Sequence, residues 1–186
     1  MNKFRDCFSA LTGFFKEKKQ IQTIKEPIWK NSAGISATNE FINIYTYSGY
    51  RLLRADPTCE EHFLPIDAAN ELLGSIVMEA LSKSRFLSLE DARALDEHEK
   101  NRNEDWDKNV MERYAYKSKG ALYKNMKYCS ISSFDGLLTI YPTRHEKLQS
   151  WGVDKRDGIE NVIIPVNSSM AEIGDAIRLA FSRCIE

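Results

Sequence analysis

The sequence predicts an α+β fold: a single domain with an antiparallel sheet of hairpins flanked by helices. Three observations lead there. Phe41 to Tyr47 alternates with the period of a strand, and Tyr128–Phe134 and Leu137–Tyr141 flank the turn pair Asp135-Gly136. Asp67–Ser84 and the segment after Ser169 instead repeat apolar residues at helical spacing. Strands and helices alternate irregularly rather than in a βαβ succession, and 186 residues suit one domain.

Taken in order, Met1–Lys19 places Phe4, Phe8, Leu11 and Phe15 at helical spacing beside Lys3, Arg5 and the cluster Lys16 to Lys19. This reads as an amphipathic helical extension, residues 1–20, ahead of a single domain, residues 21–186. Such a helix can lie on a membrane surface. The commoner use of its apolar stripe is docking, on its own domain or on a second copy in a homodimer. It lacks the small-residue cleavage site of a signal peptide, and no apolar run reaches the ~20 residues that span a bilayer.

Ile24–Lys30 and Phe41–Tyr47 follow as strands. In the second, Phe41, Asn43, Tyr45 and Tyr47 point one way and Ile42, Ile44 and Thr46 the other. Ser48-Gly49 reads as a turn, Tyr50–Arg54 as a returning strand, and Asp56-Pro57 ends it. Asp67–Ser84 is a helix with Leu72, Leu73, Ile76, Val77, Ala80 and Leu81 as its core face. Ser88–Tyr114 is helical but polar, as one long or two broken helices, and Ser118–Lys127 is a third. After the hairpin, Asn161–Val166 is a short strand that Pro165 moves toward a sheet edge. The last helix opens with a capping box, Ser169 with Glu172, and buries Ile173, Ile177, Ala180, Phe181 and Cys184.

Much chemistry is missing. No phosphate-binding glycine loop and no G-x-S-x-G elbow occurs. His145-Glu146 starts like a zincin motif, but Gln149 stands where the second imidazole is required. The Arg144, His145 and Glu146 cluster is a candidate acid–base site, against the commoner role of tying down a loop. Cys7, Cys59, Cys129 and Cys184 have no metal-ligand spacing and read as reduced thiols. Neither a metal nor a cofactor is expected.

Charge is unevenly placed. The chain carries 26 Lys and Arg against 27 Asp and Glu, for a net charge of -1. That argues against nucleic-acid binding through bulk positive charge. Yet Ser88–Glu112 holds nine acids against four bases, and Arg113–Lys127 holds five bases and no acid. Tyr114, Tyr116, Tyr123 and Tyr128 interleave with those bases, as in a single-strand stacking platform. A solvated helix face is the ordinary explanation for either block.

From about Ile44 onward the chain resembles the immunity proteins of contact-dependent growth inhibition (CDI) systems. The resemblance sits in Tyr47-Ser48-Gly49 with Arg51-Leu52-Leu53, in Leu73-Gly74, and in Ala80 through Leu87. It continues in Lys117-Ser118-Lys119, Lys124-Asn125-Met126, Pro142 through Leu148, Ile164-Pro165, Ser168-Ser169 and Arg178 through Cys184. It implies a non-enzymatic protein of the bacterial cytoplasm that binds the C-terminal toxin domain delivered by a neighbouring cell. Such a protein blocks the toxin, usually by covering its active site, and such toxins are very often nucleases. The resemblance implies no direct nucleic-acid or membrane partner and assigns no interface residues.

Charge supplies candidates instead. A nuclease cleft is positive, so the inhibitor gains by presenting carboxylates. The toxin-binding candidates are Asp96, Glu97, Glu99, Glu104, Asp105 and Asp107, with Trp106 as an apolar anchor and Trp151 as another. Two other classes compete: an RNA- or single-strand-binding protein using Arg113–Lys127, and a small hydrolase using His145.

Overall fold

A computed structural model describes residues 28–185 of the chain. The extension at residues 1–20 lies outside the described residues, as does the first half of the strand expected at Ile24–Lys30. The described remainder, Ile28–Lys30, is irregular, and the strand begins at Asn31.

Among the described residues, nine strands and four α-helices make a single α+β domain. β1 (Asn31–Ala37), β2 (Phe41–Gly49), β3 (Leu53–Ala55), β4 (His62–Pro65), β5 (Lys127–Phe134), β6 (Leu137–Pro142) and β9 (Val162–Pro165) form one seven-stranded antiparallel sheet. Its order is β3-β2-β1-β5-β6-β9, and β4 pairs with the Phe41–Ile44 end of β2 below β3. β7 (Arg144–Lys147) and β8 (Ser150–Gly152) make a separate hairpin. The helices are α1 (Asn70–Ser82), α2 (Leu89–Arg113), α3 (Lys119–Tyr123) and α4 (Met170–Arg183).

β1 lies at the centre of the sheet although its sequence, NSAGISA, carries one large apolar residue. Register explains its fit: Ile35 sits opposite Ile44 on one side and Cys129 on the other, so Ala33, Ile35 and Ala37 join the apolar face. Ser32, Gly34 and Ser36 then fall on the opposite face with Asn43, Tyr45 and Tyr47. The Asp135-Gly136 turn forms as expected, with both residues at positive φ, 50° and 74°. Ser48 and Gly49 are the last residues of β2, not a turn; the chain turns at residues 50–52 and only Leu53–Ala55 returns.

α1 and α4 cover the apolar face. Leu73, Val77, Ala80, Ile173, Ile177 and Ala180 pack with Ile35, Ile42, Ile44, Ile131 and Ile140 in one continuous core. Each large side chain fully buried there contributes about 1.5–3 kcal/mol. The core face of α1 includes Gly74, whereas Leu72, expected in the stripe, is 46% exposed. The rotation follows from close helix contact: a Cβ on Gly74 would overlap the Met170 carbonyl, and one on Gly174 the Asn70 carbonyl. The capping box of α4 forms as expected, with Ser169 Oγ accepting from Glu172 N–H and the Ser169 N–H donating to Glu172 Oε2 at 2.8 Å.

α2 crosses the other face as one unbroken helix, capped by Ser88 Oγ at 3.1 Å from Asp91 N. The Ser84–Leu87 link carries the chain from one face of the sheet to the other. It is pinned to the end of β2, where Gly49 N–H donates to Arg85 O and Leu87 N–H to Gly49 O. Arg85 also forks onto Asp56, at 3.0 and 2.7 Å. α3 is shorter than the Ser118–Lys127 helix expected, because Lys127 already pairs in β5 opposite Ala37.

Candidate functional site

Helix α2 does not lie flush on the sheet. Between them is a cavity of about 430 Å³, and its construction begins with the alternation of β2. Asn43, Tyr45 and Tyr47 share the face turned to α2, joined by Tyr128 of β5. The Tyr45 ring lies against Gly34, where an added Cβ would overlap the ring edge and push it aside. The three phenols form a chain: Tyr45 and Tyr47 hydroxyls share a hydrogen bond of 3.4 Å, Tyr47 and Tyr128 one of 2.8 Å. Burial, above all, pushes all three pKa values up, so they stay neutral hydroxyls.

The roof follows the helical repeat. Leu95, Glu99, Arg102, Trp106 and Val110 recur every three or four residues along α2 and turn inward. At the Val110 end this stripe joins an apolar cluster with Phe41, Leu122, Tyr123 and Met126. Toward Glu99 it becomes polar. Arg102 stands 5.5 Å over the Tyr45 ring, 3.1 Å from Glu61 and 3.8 Å from Glu99. Trp106 Nε1–H donates to Glu61 at 2.8 Å, and Trp151 Nε1–H closes the far wall by donating to Met126 O at 3.0 Å. A second, more open cleft of about 540 Å³ continues past Glu99, with the Arg54–Asp96 pair at 2.9 Å on its rim.

Two buried oxygens in this cavity have no hydrogen-bond partner among the described residues: Asn43 Oδ1 on the floor and Glu99 Oε2 on the roof. Asn43 is 1% exposed, and its amide N–H already donates to His62 O at 3.4 Å. Buried acceptors are rarely left unpaired.

The acidic candidates divide. Glu97, Glu104 and Asp105 are exposed, on the outward side of α2. Asp96 pairs with Arg54, Glu99 lines the cavity, and Trp106 is half-buried against Glu61. Asp107 lies inside the protein at 1% exposure. It accepts from Tyr123 Oη–H, from Gln149 Nε2–H at 2.8 Å and from Lys119 Nζ at 2.7 Å, tying α2 to α3 and to the β7–β8 turn. Burial first, and then the Asp107 carboxylate, hold the Tyr123 phenol protonated.

The other candidate chemistries do not assemble. The four tyrosines interleaved with bases face inward: Tyr114 stacks on Phe41 at 4.5 Å, Tyr123 is buried, Tyr128 floors the cavity and Tyr116 packs against the apolar cluster at the Val110 end of α2. No row of free rings is left beside Lys117 and Lys124. Arg144 is bound to Asp157, and the His145 ring stacks on Trp151 at 5.0 Å while its backbone N–H donates to Ile185 O at 2.8 Å. No helix of the described residues is long and apolar enough to cross a membrane.

Sequence reasoning overlooked the floor residues and Glu61. The signal was present in β2, where the amide and both phenols fall on one face; Thr46 and Ser48 fall on the other, where Thr46 donates to Ala80 O of α1 at 2.9 Å and Ser48 Oγ accepts from Arg85 N–H at 3.1 Å.

The site belongs to a fold with relatives. A family model described as CdiI, CDI immunity protein, matches residues 31–184. Immunity protein CdiI-YPIII of Yersinia pseudotuberculosis serotype O:3 (strain YPIII) is 41% identical over 170 residues, covering 82% of this chain and 94% of that protein. Among solved structures, a chain of the CdiA-CT/CdiI toxin and immunity complex from Yersinia pseudotuberculosis is 38% identical. Its TM-score is 0.74, and the match covers 84% of this chain and 98% of that one. A protein of unknown function from Neisseria meningitidis is 36% identical with a TM-score of 0.75, covering 84% and 96%. CdiI immunity proteins are non-enzymatic inhibitors. With a family match over nearly every described residue and a relative sharing two residues in five, the chain belongs to the CdiI family of CDI immunity proteins.

Proposed function

We propose that this chain binds a cognate CdiA-CT toxin domain and neutralises it by covering the toxin's active site, with α2 at the centre of the docking surface. The observation that carries the binding role is the likeness to a solved toxin and immunity complex, at 38% identity and a TM-score of 0.74. The toxin chemistry that fits the docking surface best is that of a nuclease. A nuclease holds phosphates in a cationic cleft, and α2 offers Glu97, Glu104 and Asp105 outward with their carboxylates in solvent. A standard interface buries about 1,600 Å² in total, and such steering charges raise the association rate more than the affinity. Asp107 is left out of the contact set because its oxygens are already engaged.

The test is inhibition and binding of the toxin encoded with this chain. The wild type copurifies with the toxin and suppresses its nuclease activity stoichiometrically. Glu97→Lys and Asp105→Lys slow association at low salt and flatten its salt dependence, whereas Glu160→Lys, an exposed charge on the loop before β9, does neither. Wild-type kinetics in both α2 variants would move the interface away from the outer face of α2.

A further inference from the structure

The cavity beneath α2 has a chemistry distinct from that of the exposed acids. Among the described residues two buried oxygens lack a hydrogen-bond partner, Asn43 Oδ1 and Glu99 Oε2; they come from opposite walls, both accept only, and Glu99 Oε2 has the Arg102 guanidinium no nearer than 3.8 Å. The charged lining is Glu61 and Glu99 against Arg102, an excess of one carboxylate. An anion would therefore meet net repulsion, and an apolar group would leave the acceptors orphaned. Water could satisfy them but would leave the excess charge in place. A donor that also carries positive charge answers both deficits. Trp106, Trp151 and the phenol floor supply ring faces that attract such a cation. At about 430 Å³ the cavity falls within the span of ligand sites, about 300–1,000 Å³.

We propose that this cavity receives a basic side chain, a guanidinium or an ammonium group, which the bound toxin inserts between α2 and the sheet to donate to Glu99 Oε2 and Asn43 Oδ1. The proposal rests on the toxin-binding reading and adds the chemistry of one contact. The toxin is the source because a nuclease surface is rich in Lys and Arg, and the acidic outer face of α2 concentrates such a group beside the cavity mouth. Glu99 lines both the cavity and the open cleft beside it, so it stands on the route inward.

Two measurements test it. The first uses N-acetylarginine methylamide as a probe, titrated against the full chain and followed by tryptophan fluorescence, since Trp106 and Trp151 line the cavity. Saturable quenching is expected in the wild type and in Glu160→Lys, with at least about tenfold weaker binding in Glu99→Gln, the scale of a lost charge-assisted hydrogen bond. The second is toxin affinity. Glu99→Gln, isosteric and uncharged, loses about tenfold or more through faster dissociation, and Glu99→Lys, which places an ammonium in the cavity itself, loses more. Thermal melts select the variants that remain folded, and either one suffices. The loss should vanish in a toxin whose inserted Lys or Arg is already alanine, so the two changes are non-additive. Toxin affinity within twofold of wild type in a folded Glu99 variant overturns the proposal and leaves a water-filled cavity, while wild-type toxin binding preserves the immunity reading. A wild-type chain that binds no toxin overturns that reading instead, and the probe titration then stands on its own.

Discussion

The two faces of the sheet are built on different chemistry. Under α1 and α4 the residues are Ala, Ile, Leu and Val, close-packed and dry, with glycines admitting the helices to each other's backbone. Under α2 they are Asn, Ser and Tyr, with carboxylates and a guanidinium above them and open space between. The first face gains free energy from every methylene it buries. The second holds polar groups whose partners are incomplete, a poor arrangement for stability and a good one for receiving another molecule. The division teaches that a close-packed apolar core and an open polar cavity can be separated by the thickness of one sheet.

The largest expected effect lies on the dry face. Ile44→Ala, at a fully buried position, should cost about 3–4 kcal/mol in urea unfolding, by lost transfer free energy and a cavity that neighbours cannot fill. Toxin affinity of the folded fraction should not change. A cost no larger than that of a cavity-face substitution would break the comparison.

Next comes Asp107, which accepts three bonds on the α2 side of the sheet. Asp107→Ala strands Tyr123, Gln149 and Lys119, and should cost about 2–4 kcal/mol and loosen α3. Hydrogen exchange should rise first in α3 and the β7–β8 turn if that anchor is what holds them.

Asp56 guards the link between the faces. Burial raises its pKa, but hydrogen bonds from Ser48, Thr58 and Arg85 outweigh that and hold it at about 2, below the ordinary 3.8. A carboxylate depressed on folding stabilises fully above its unfolded pKa, and the contribution fades as pH falls from about 4 through 2. Wild type should therefore lose up to about 2 kcal/mol across that window relative to Asp56→Asn. Parallel acid titrations of the two proteins would assign the loss elsewhere.

The smallest effect is expected on the cavity floor. Tyr47→Phe removes the middle hydroxyl of the phenol chain and should cost only about 1 kcal/mol, because a cavity beside it allows its partners to rehydrate. A loss as large as that of Ile44→Ala would show that the floor is part of the stabilising core.

Legibility from sequence tracked locality. The Ser169–Glu172 capping box, the stripe of α4 and the Asp135-Gly136 turn were readable because each depends on residues within a few positions. β1 was not readable, since a strand of Ser, Ala and Gly has little pattern of its own and is held by neighbours on both sides. The strand expected at Ile24–Lys30 is irregular over its described part, Ile28–Lys30, and the rest lies outside the described residues. α3 was overestimated because helical propensity continued where pairing with Ala37 had already claimed the chain.

The sequence by itself determined the α+β class, the family and the concentration of acid on α2, all properties of composition, order and short-range spacing. Only the tertiary structure decided what each acid does. Asp105 and Asp107 stand two residues apart, yet one faces solvent and the other anchors three elements, because about 100° of helical turn per residue carries the second under the surface. The cavity was decided there too. Its floor comes from β1, β2 and β5 and its roof from α2, and an unpaired oxygen becomes visible only when segments 50 residues and more apart in the chain, such as Asn43 and Glu99, are brought face to face.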